Sequence, residues 1–184
     1  DVVDGFTIRN GNSADAGGGA SLRGNFEVRN CRFLDNRASS SGGAVYVQAS
    51  GKSNNFNFRN CEFTGNNTPY QGGAVCDFND YCSYFNCKIS GNHADNQGGG
   101  IYGGSRMVQC EISNNTAGSC PGLYEFADTL VNCNIVGNVS SGSSYAGLNS
   151  FNGVMINTVV WGNIANGNPL DISNYSGMIA FNSA

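Results

Sequence analysis

A nine-residue pattern recurs along the chain and constrains its fold more than any other feature. Its first copy, Asn30–Ala38, has an Asn, a Cys, a large apolar residue two places later, a second Asn and a small residue. Related copies, one with Gln for the first Asn and one with Thr for Cys, follow at 60–68, 86–94, 109–117, 132–140 and 157–165. The second Asn recurs every 23 to 30 residues, as Asn12, Asn36, Asn66, Asn92, Asn115, Asn138 and Asn163. A period in this range indicates a solenoid, in which each repeat buries its apolar face against its neighbours.

One repeat, residues 41–66, contains three segments with the features of short β-strands. In the first, apolar residues alternate, so Val45 and Val47 face one side and Tyr46 faces the other. Two further short strands follow, and Asn66 is then expected to turn the chain in the left-handed backbone that Asn tolerates. Three strands per repeat, each parallel to its equivalent in the next repeat, predict an all-β fold: a right-handed parallel β-helix of about seven coils.

Equivalent positions of successive coils are expected to stack into columns along the axis. The inward apolar column is Phe33, Phe63, Ile89, Ile112, Ile135 and Val160, and the third wall is Val45, Val75, Ile101, Leu123 and Leu148. A column of small residues beside the core is Cys31, Cys61, Cys87, Cys110, Cys133 and Thr158. A first amide ladder is Asn30, Asn60, Asn86, Gln109, Asn132 and Asn157, and the corner Asn residues form a second. Stacked amides donate and accept along the axis, which satisfies polar groups at the corners.

The composition excludes several classes of function. Only 12% of residues are charged and the formal net charge is −4, which argues against nucleic-acid binding, because that binding depends on Lys and Arg. No apolar run approaches the ~18–20 residues of a membrane span. One His and no Cys-x-x-Cys pair give no metal-site pattern, and no cofactor is expected.

We expect residues 1–184 to form a single solenoid domain. Solenoids need polar caps at both ends, because an uncovered coil is an adhesive edge. Neither terminus of this sequence shows such a cap. The sequence is therefore interpreted as a segment of a longer chain that continues into further domains.

The eight cysteines allow two interpretations. Five of them share one column, where the Cβ vectors of stacked residues run parallel instead of towards each other, which favours buried free thiols over disulfides. Cys76 and Cys82 lie off this column and are close in sequence, so a disulfide between them is a candidate.

Two further groups are candidates for a site. The loop residues Asp77, Asn79 and Asp80 offer three oxygen donors, which fit either a Ca²⁺ site or a solvated loop. His93 follows a corner Asn and is expected on the surface, with nothing resembling a catalytic triad around it.

Two local motifs resemble those of a known family. The motif Phe-x-x-Asn occurs at 33–36 and 63–66, and Gly-Gly-Ala followed by Val occurs at 42–45 and 72–75. Together they resemble the repeats of chlamydial polymorphic outer membrane proteins. The resemblance extends over most of the chain, and the shared residues are those that specify corners and core.

The segments 4–8 and 159–163 are similar to right-handed parallel β-helix repeat proteins of bacterial surfaces, in the pectin-lyase-like superfamily. Many of these proteins are large and end in a sorting or anchor domain. The resemblance implies an extracellular protein at a bacterial cell surface or outer membrane. It implies either a non-catalytic, adhesin-like or passenger-like module that binds carbohydrate or a host or cell-surface protein, or a polysaccharide lyase or glycoside hydrolase acting on acidic polysaccharide.

The outward column of the first strand in each repeat bears on this choice, since the superfamily places its catalytic site there. A lyase needs a base with carboxylates or Ca²⁺, and a hydrolase needs paired carboxylates. The column contains no Lys, Arg or Asp and consists of Ser21, Tyr46, Cys76, Tyr102, Tyr124 and Asn149. We therefore favour the non-catalytic module, with Tyr46, Tyr102 and Tyr124 as its contact face, although Tyr is also simply common in strands.

Overall fold

Regular structure in this protein consists of short β-strands stacked in parallel. The structure is a computed structural model and describes residues 1–48, 55–142, 145–173 and 178–180. Thirty strands form four sheets, and no helix occurs in these ranges. The chain visits sheets 1, 2, 3 and 4 in turn and then repeats the path, which gives a parallel β-solenoid of about six turns. The all-β, parallel β-helix prediction is confirmed.

Each sheet collects one strand from every coil. Sheet 1 is β1 Val2–Asp4, β5 Phe26–Arg29, β9 Phe56–Arg59, β13 Cys82–Phe85, β17 Arg106–Val108, β21 Thr129–Val131, β25 Val154–Ile156 and β30 Met178–Ala180. Sheet 2 is β2 Thr7–Arg9, β6 Arg32–Leu34, β10 Glu62–Thr64, β14 Lys88–Ser90, β18 Glu111–Ser113, β22 Asn134–Val136 and β26 Val159–Trp161. Sheet 3 is β3 Asn12–Ser13, β7 Arg37–Ala38, β11 Asn67–Thr68, β15 His93–Gln97, β19 Thr116–Ser119, β23 Val139–Ser140, β27 Ile164–Ala165 and the antiparallel β28 Asn168–Pro169. Sheet 4 is β4 Ala20–Arg23, β8 Val45–Gln48, β12 Val75–Cys76, β16 Ile101–Tyr102, β20 Leu123–Tyr124, β24 Leu148–Asn149 and β29 Ile172–Ser173.

The prediction of three strands per coil is wrong, because sheet 3 adds a fourth. Most of its strands directly follow the corner Asn and several are only two residues long, as in Arg37–Ala38. Two residues are too few to show the alternation by which a strand is identified in a sequence. The cross-section of the solenoid therefore has four walls.

The predicted inward columns are confirmed by the pairing of neighbouring coils. Phe63 pairs with Phe33 on one side and with Ile89 on the other, and all three are fully buried. The rings of Phe33 and Phe63 stack at 4.9 Å between centroids. Val75 likewise lies between Val45 and Ile101 in sheet 4. These stacked side chains fill the interior and give each coil its hydrophobic contact with the next.

The two amide ladders differ in burial and in backbone. The first ladder lies at the corner between sheets 1 and 2, and its members, such as Asn60, are exposed and have a positive φ. The second lies at the corner between sheets 2 and 3, and its members, such as Asn66, are buried. The left-handed backbone at this second corner belongs to the preceding residue, Gly65 in this coil, and not to Asn66 as expected.

The second ladder also begins and ends differently from the prediction. Asn12 is aligned with Arg37, so Gly11, not Asn12, occupies the position equivalent to Asn36. The Gly11 N–H donates to the Asn36 Oδ1 at 2.9 Å. At the other end, Asp171 accepts from both the backbone N–H and the Nδ2 of Asn163 at 2.8 Å. A carboxylate thus occupies the place where the next coil would supply an amide.

Candidate functional site

Four aromatic side chains form a continuous strip on the outer face of sheet 4. Tyr46, Tyr102 and Tyr124 occupy one outward column, as predicted, with Cys76 between Tyr46 and Tyr102. Cys76 is small and buried, and Phe78 from the following loop lies over this gap. Tyr46, Phe78, Tyr102 and Tyr124 are called the aromatic strip below.

The rings of the aromatic strip contact one another in sequence. Phe78 meets Tyr46 at 6.2 Å and Tyr102 at 5.2 Å between centroids, both edge to face. Tyr102 and Tyr124 stack at 5.2 Å with 23° between their planes. Because the stacked rings cover each other, the strip presents ring edges, hydroxyl groups and the half-exposed Phe78 to solvent. The tyrosines themselves are half-buried, not freely exposed.

The hydroxyl groups of the strip are held in their protonated form. Burial, and then the Glu125 carboxylate that accepts a 2.8 Å hydrogen bond from the Tyr102 hydroxyl, raises the pKa of Tyr102. Burial also raises the pKa of Tyr46 and of Tyr124. These hydroxyls are therefore hydrogen-bonding groups at neutral pH and are poorly suited to act as a catalytic base.

The loop that places Phe78 is supported by Asp77 from within. Asp77 is fully buried, and its carboxylate accepts hydrogen bonds from the backbone N–H groups of Asn79, Tyr81 and Cys82 at 2.7 to 3.1 Å. Asp80 accepts from the Gly104 N–H at 3.0 Å, and burial raises the pKa of Asp80. Both oxygens of Asp77 are thus engaged by the loop backbone, which gives Asp77 a structural role in this loop. Within the described ranges, no three His, Cys, Asp or Glu side chains group as metal ligands do.

Every cysteine is a buried free thiol, including Cys76 and Cys82, which do not form the candidate disulfide in this structure. Burial raises the pKa of both thiols. In the cysteine column, each Sγ donates to the carbonyl two residues earlier, as Cys61 does to Arg59 at 3.3 Å. Thr158 makes the same bond to Ile156 through its hydroxyl. This shared bond explains why Thr replaces Cys in one coil.

His93 lies in a hydrogen-bonded row that the sequence analysis missed. Its Nδ1 is 2.7 Å from the Thr116 Oγ1, and its Nε2 is 2.8 Å from the Asp95 Oδ1. The register of sheet 3 pairs His93 with Thr116, so a four-walled alignment of the coils would have found this contact. Thr116, His93 and Asp95 thus follow the order hydroxyl, imidazole and carboxylate of a catalytic triad. However, the His93 and Asp95 side chains are 40% and 67% exposed, so water surrounds a row that catalysis would need to desolvate.

A polar groove along the first amide ladder is a second feature without a sequence signal. Its volume is about 560 Å³, and it lies at the corner between sheets 1 and 2. Amide side chains, charged residues and the edges of three thiols line it. These residues are Asn60, Cys61, Glu62, Asn86, Cys87, Lys88, Gln109, Cys110, Glu111, Asn132 and Asn134.

Several outward positions of the last two described coils are apolar. In sheet 2 the outward column changes from the ion pair of Arg32 and Glu62, at 2.8 Å, to Val159 in the last coil. Trp161 is 72% exposed on the same face. The remaining exposed apolar residues of these coils are Val139, Ile156 and Ile164.

Comparison with known proteins gives one match. A family model described as the Chlamydia polymorphic membrane protein repeat matches residues 30–48 and 86–104, well under half of the chain. Each matched segment begins at the first-ladder Asn, passes the corner Asn and includes the outward Tyr of sheet 4, Tyr46 or Tyr102. No curated protein and no solved structure matches the chain. No helix in the described ranges is long and apolar enough to cross a membrane.

Proposed function

We propose that this chain, two of whose coils match the repeat of Chlamydia polymorphic membrane proteins, is a non-catalytic module displayed at a bacterial surface or outer membrane. It acts there as an adhesin-like passenger and makes its contact through the aromatic strip. The repeat match supports the location. The strip supports the contact. The outward Tyr column is interrupted at Cys76, and Phe78 fills this gap, so the aromatic surface remains continuous.

The geometry of the strip favours a protein partner over a sugar. Binding of a sugar ring uses the open face of an aromatic ring, and the faces of Tyr102 and Tyr124 cover each other. Ring edges with hydroxyl groups around one half-exposed Phe resemble the aromatic centres of protein interfaces, where Tyr is enriched. The Tyr102 hydroxyl donates to the Glu125 carboxylate at 2.8 Å, and this supports a hydrogen-bonding role for the strip.

A cell-binding assay tests this proposal. Fluorescently labelled protein is applied to a panel of cultured cell types, and binding is measured for wild type and for the triple change Tyr46→Ala, Tyr102→Ala and Tyr124→Ala. We expect the triple variant to bind roughly tenfold more weakly or worse. Tyr70→Ala is the matched control, because Tyr70 is 52% exposed and lies outside the strip.

Two outcomes would contradict the proposal. Equal binding by wild type and the triple variant would remove the strip from the contact. Cleavage of an acidic polysaccharide by the purified protein would show an enzyme. Treating the cells with trypsin before the assay is expected to abolish binding, whereas loss of binding only after glycosidase treatment would assign the strip to a glycan.

A further inference from the structure

The first amide ladder is interrupted inside the groove. In the early coils the Nδ2 of each Asn donates to the Oδ1 of the previous coil, from Asn60 to Asn30 at 3.1 Å and from Asn86 to Asn60 at 2.9 Å. The same bond returns from Asn157 to Asn132 at 2.6 Å. Between these two runs stands Gln109, whose longer side chain makes no hydrogen bond with any described residue.

The interruption leaves side-chain donors and acceptors without ladder hydrogen bonds in the middle of the groove. Asn86 keeps its Oδ1 as an acceptor, Asn132 keeps its Nδ2 as a donor, and the amide of Gln109 offers both. The surrounding backbone is not disturbed, because Gln109 retains the positive φ of the ladder and its N–H donates to the Val131 carbonyl at 2.9 Å. The gap in the ladder therefore comes from the side chain of Gln109, since the backbone at this corner is regular.

The two sides of the groove have different chemistry. On the side of sheet 2, Lys88 lies 4.0 Å from Glu111, and both side chains are about half exposed. On the side of sheet 1, the ladder residues Asn86, Gln109 and Asn132 line the groove with their side-chain amides. Amide donors and acceptors along one wall match the hydroxyl groups at the edge of a pyranose ring.

We infer that this groove is a saccharide-binding site centred on Gln109 and that it takes a neutral oligosaccharide. The amides of Asn86, Gln109 and Asn132 bond its hydroxyl groups. The lining contains one cationic side chain, Lys88, and two carboxylates, Glu62 and Glu111. Glu62 is paired with Arg32 at 2.8 Å and Lys88 lies 4.0 Å from Glu111, so an anionic glycan meets no unpaired positive charge among these lining residues. The site is separate from the aromatic strip, which lies on sheet 4.

Two substitutions of Gln109 test the site: one is expected to restore the ladder hydrogen bond, and the other removes the side-chain amide. The change Gln109→Asn restores the ladder residue, so its amide is expected to bond to the Asn86 Oδ1 and no longer face a ligand. The change Gln109→Ala removes the amide. Gln48→Asn is the matched control, because it is the same chemical change at an exposed residue of sheet 4.

The experiment screens the full chain on an array of neutral, sialylated and sulfated oligosaccharides and then titrates the strongest neutral binder by calorimetry. We expect Gln109→Asn and Gln109→Ala to weaken that binding by about tenfold, which is the loss of roughly one well-placed hydrogen bond. Gln48→Asn and the triple tyrosine variant are expected to bind as wild type does, so this result is independent of the proposed contact through the strip. Failure to bind any array glycan, preference for anionic glycans, or binding that survives both Gln109 changes would overturn the inference.

Discussion

Among single residues, Tyr84 is distinguished by a buried hydroxyl group that lacks a hydrogen bond within the described residues. It is fully buried in sheet 1 and stacks on Phe58 at 5.3 Å, yet its hydroxyl has no hydrogen-bond partner within the described part of the chain. The thiol of Cys82, a weak hydrogen-bonding group, lies beside it. A buried hydroxyl without a partner costs stability, because it has lost its bonds to water.

We therefore expect Tyr84→Phe to raise the free energy of unfolding by about 1 kcal/mol. The ring stacking on Phe58 is preserved, and the unsatisfied group is removed. Urea denaturation followed by circular dichroism measures the change. Tyr81→Phe, at a half-buried residue, is the control and is expected to change little. A loss of stability in Tyr84→Phe would show that the Cys82 thiol bonds the hydroxyl well.

The two amide ladders give a second prediction. The Asn92 Oδ1 accepts from the backbone N–H and the Nδ2 of Asn66, and its own Nδ2 donates to the Phe63 carbonyl at 3.0 Å. Asn92→Ala removes these bonds and leaves the buried Asn66 N–H without its acceptor, while the Asn66 Nδ2 keeps its bond to the Phe33 carbonyl. We expect a loss of about 4 kcal/mol. Asn60→Gly removes an exposed ladder member and keeps the positive φ, so a loss below about 1 kcal/mol is expected. Thermal melting of both variants checks this, and equal losses would refute the distinction.

The sequence identified both ladders but not their difference. The ladders that contain Asn30 and Asn36 recur with the same repeat and consist mainly of Asn, so the pattern alone gives them the same structural role. What separates them is burial, which depends on how the coil closes around the core. The sequence also offered no reason to expect that Asp35, and not Asn36, takes the left-handed backbone.

At the scale of elements, the loop after β12 links stability to the aromatic strip. Asp77→Ala removes an acceptor shared by three backbone N–H groups, and we expect a loss of about 3 kcal/mol together with weaker cell binding, because Phe78 loses its support. Asn79→Ala, at an exposed residue of the same loop, is expected to change stability by less than about 0.5 kcal/mol. Denaturation and the cell-binding assay are measured on the same preparations. Unchanged cell binding by Asp77→Ala would show that the position of Phe78 does not depend on the hydrogen bonds of Asp77.

A pH-dependent contribution is predicted between β6 and β10. The Arg32 guanidinium, 2.8 Å away, lowers the pKa of the Glu62 carboxyl. A lowered folded-state pKa stabilises the fold above the unfolded value of about 4.3, and this contribution is lost as the pH falls through the folded value. Since the Arg32 side chain is 54% exposed, the loss in Glu62→Gln at neutral pH is expected to be about 0.5 kcal/mol.

The measurement is the difference in unfolding free energy between Glu62→Gln and wild type at a series of pH values. The difference should be largest at neutral pH and should disappear in acid. A difference that is constant with pH would show that the effect of the substitution is steric.

Element-scale features were the least visible in the sequence. The continuity of the aromatic strip depends on a Phe two residues beyond Cys76, in a loop and out of the Tyr column. The proposed site within the groove depends on the absence of one amide bond at Gln109, although the sequence already showed Gln109 as the exception in its ladder. Column alignment finds the residues that repeat, whereas these contacts come from residues that do not.

For the whole molecule, stability is expected to be the sum of coil-to-coil contacts, so each end of the stack is a place where unfolding begins. Asp171 terminates the buried ladder by accepting both donors of Asn163. Asp171→Ala is expected to lower stability by about 2 kcal/mol and to speed hydrogen exchange in the last coil more than in the central coils. Asp171→Asn keeps an acceptor oxygen and is the control. Equal acceleration in all coils would show that the stack opens only as a unit.

The single tryptophan of the chain has a practical consequence. Because the indole of Trp161 is already in water in the folded protein, unfolding of the core changes its environment little, and its fluorescence is a poor measure of folding. A molecule that binds over Val159 on the outer face of sheet 2, in contrast, is expected to cover this indole. An unlabelled preparation thus has an intrinsic optical reporter for association at that face.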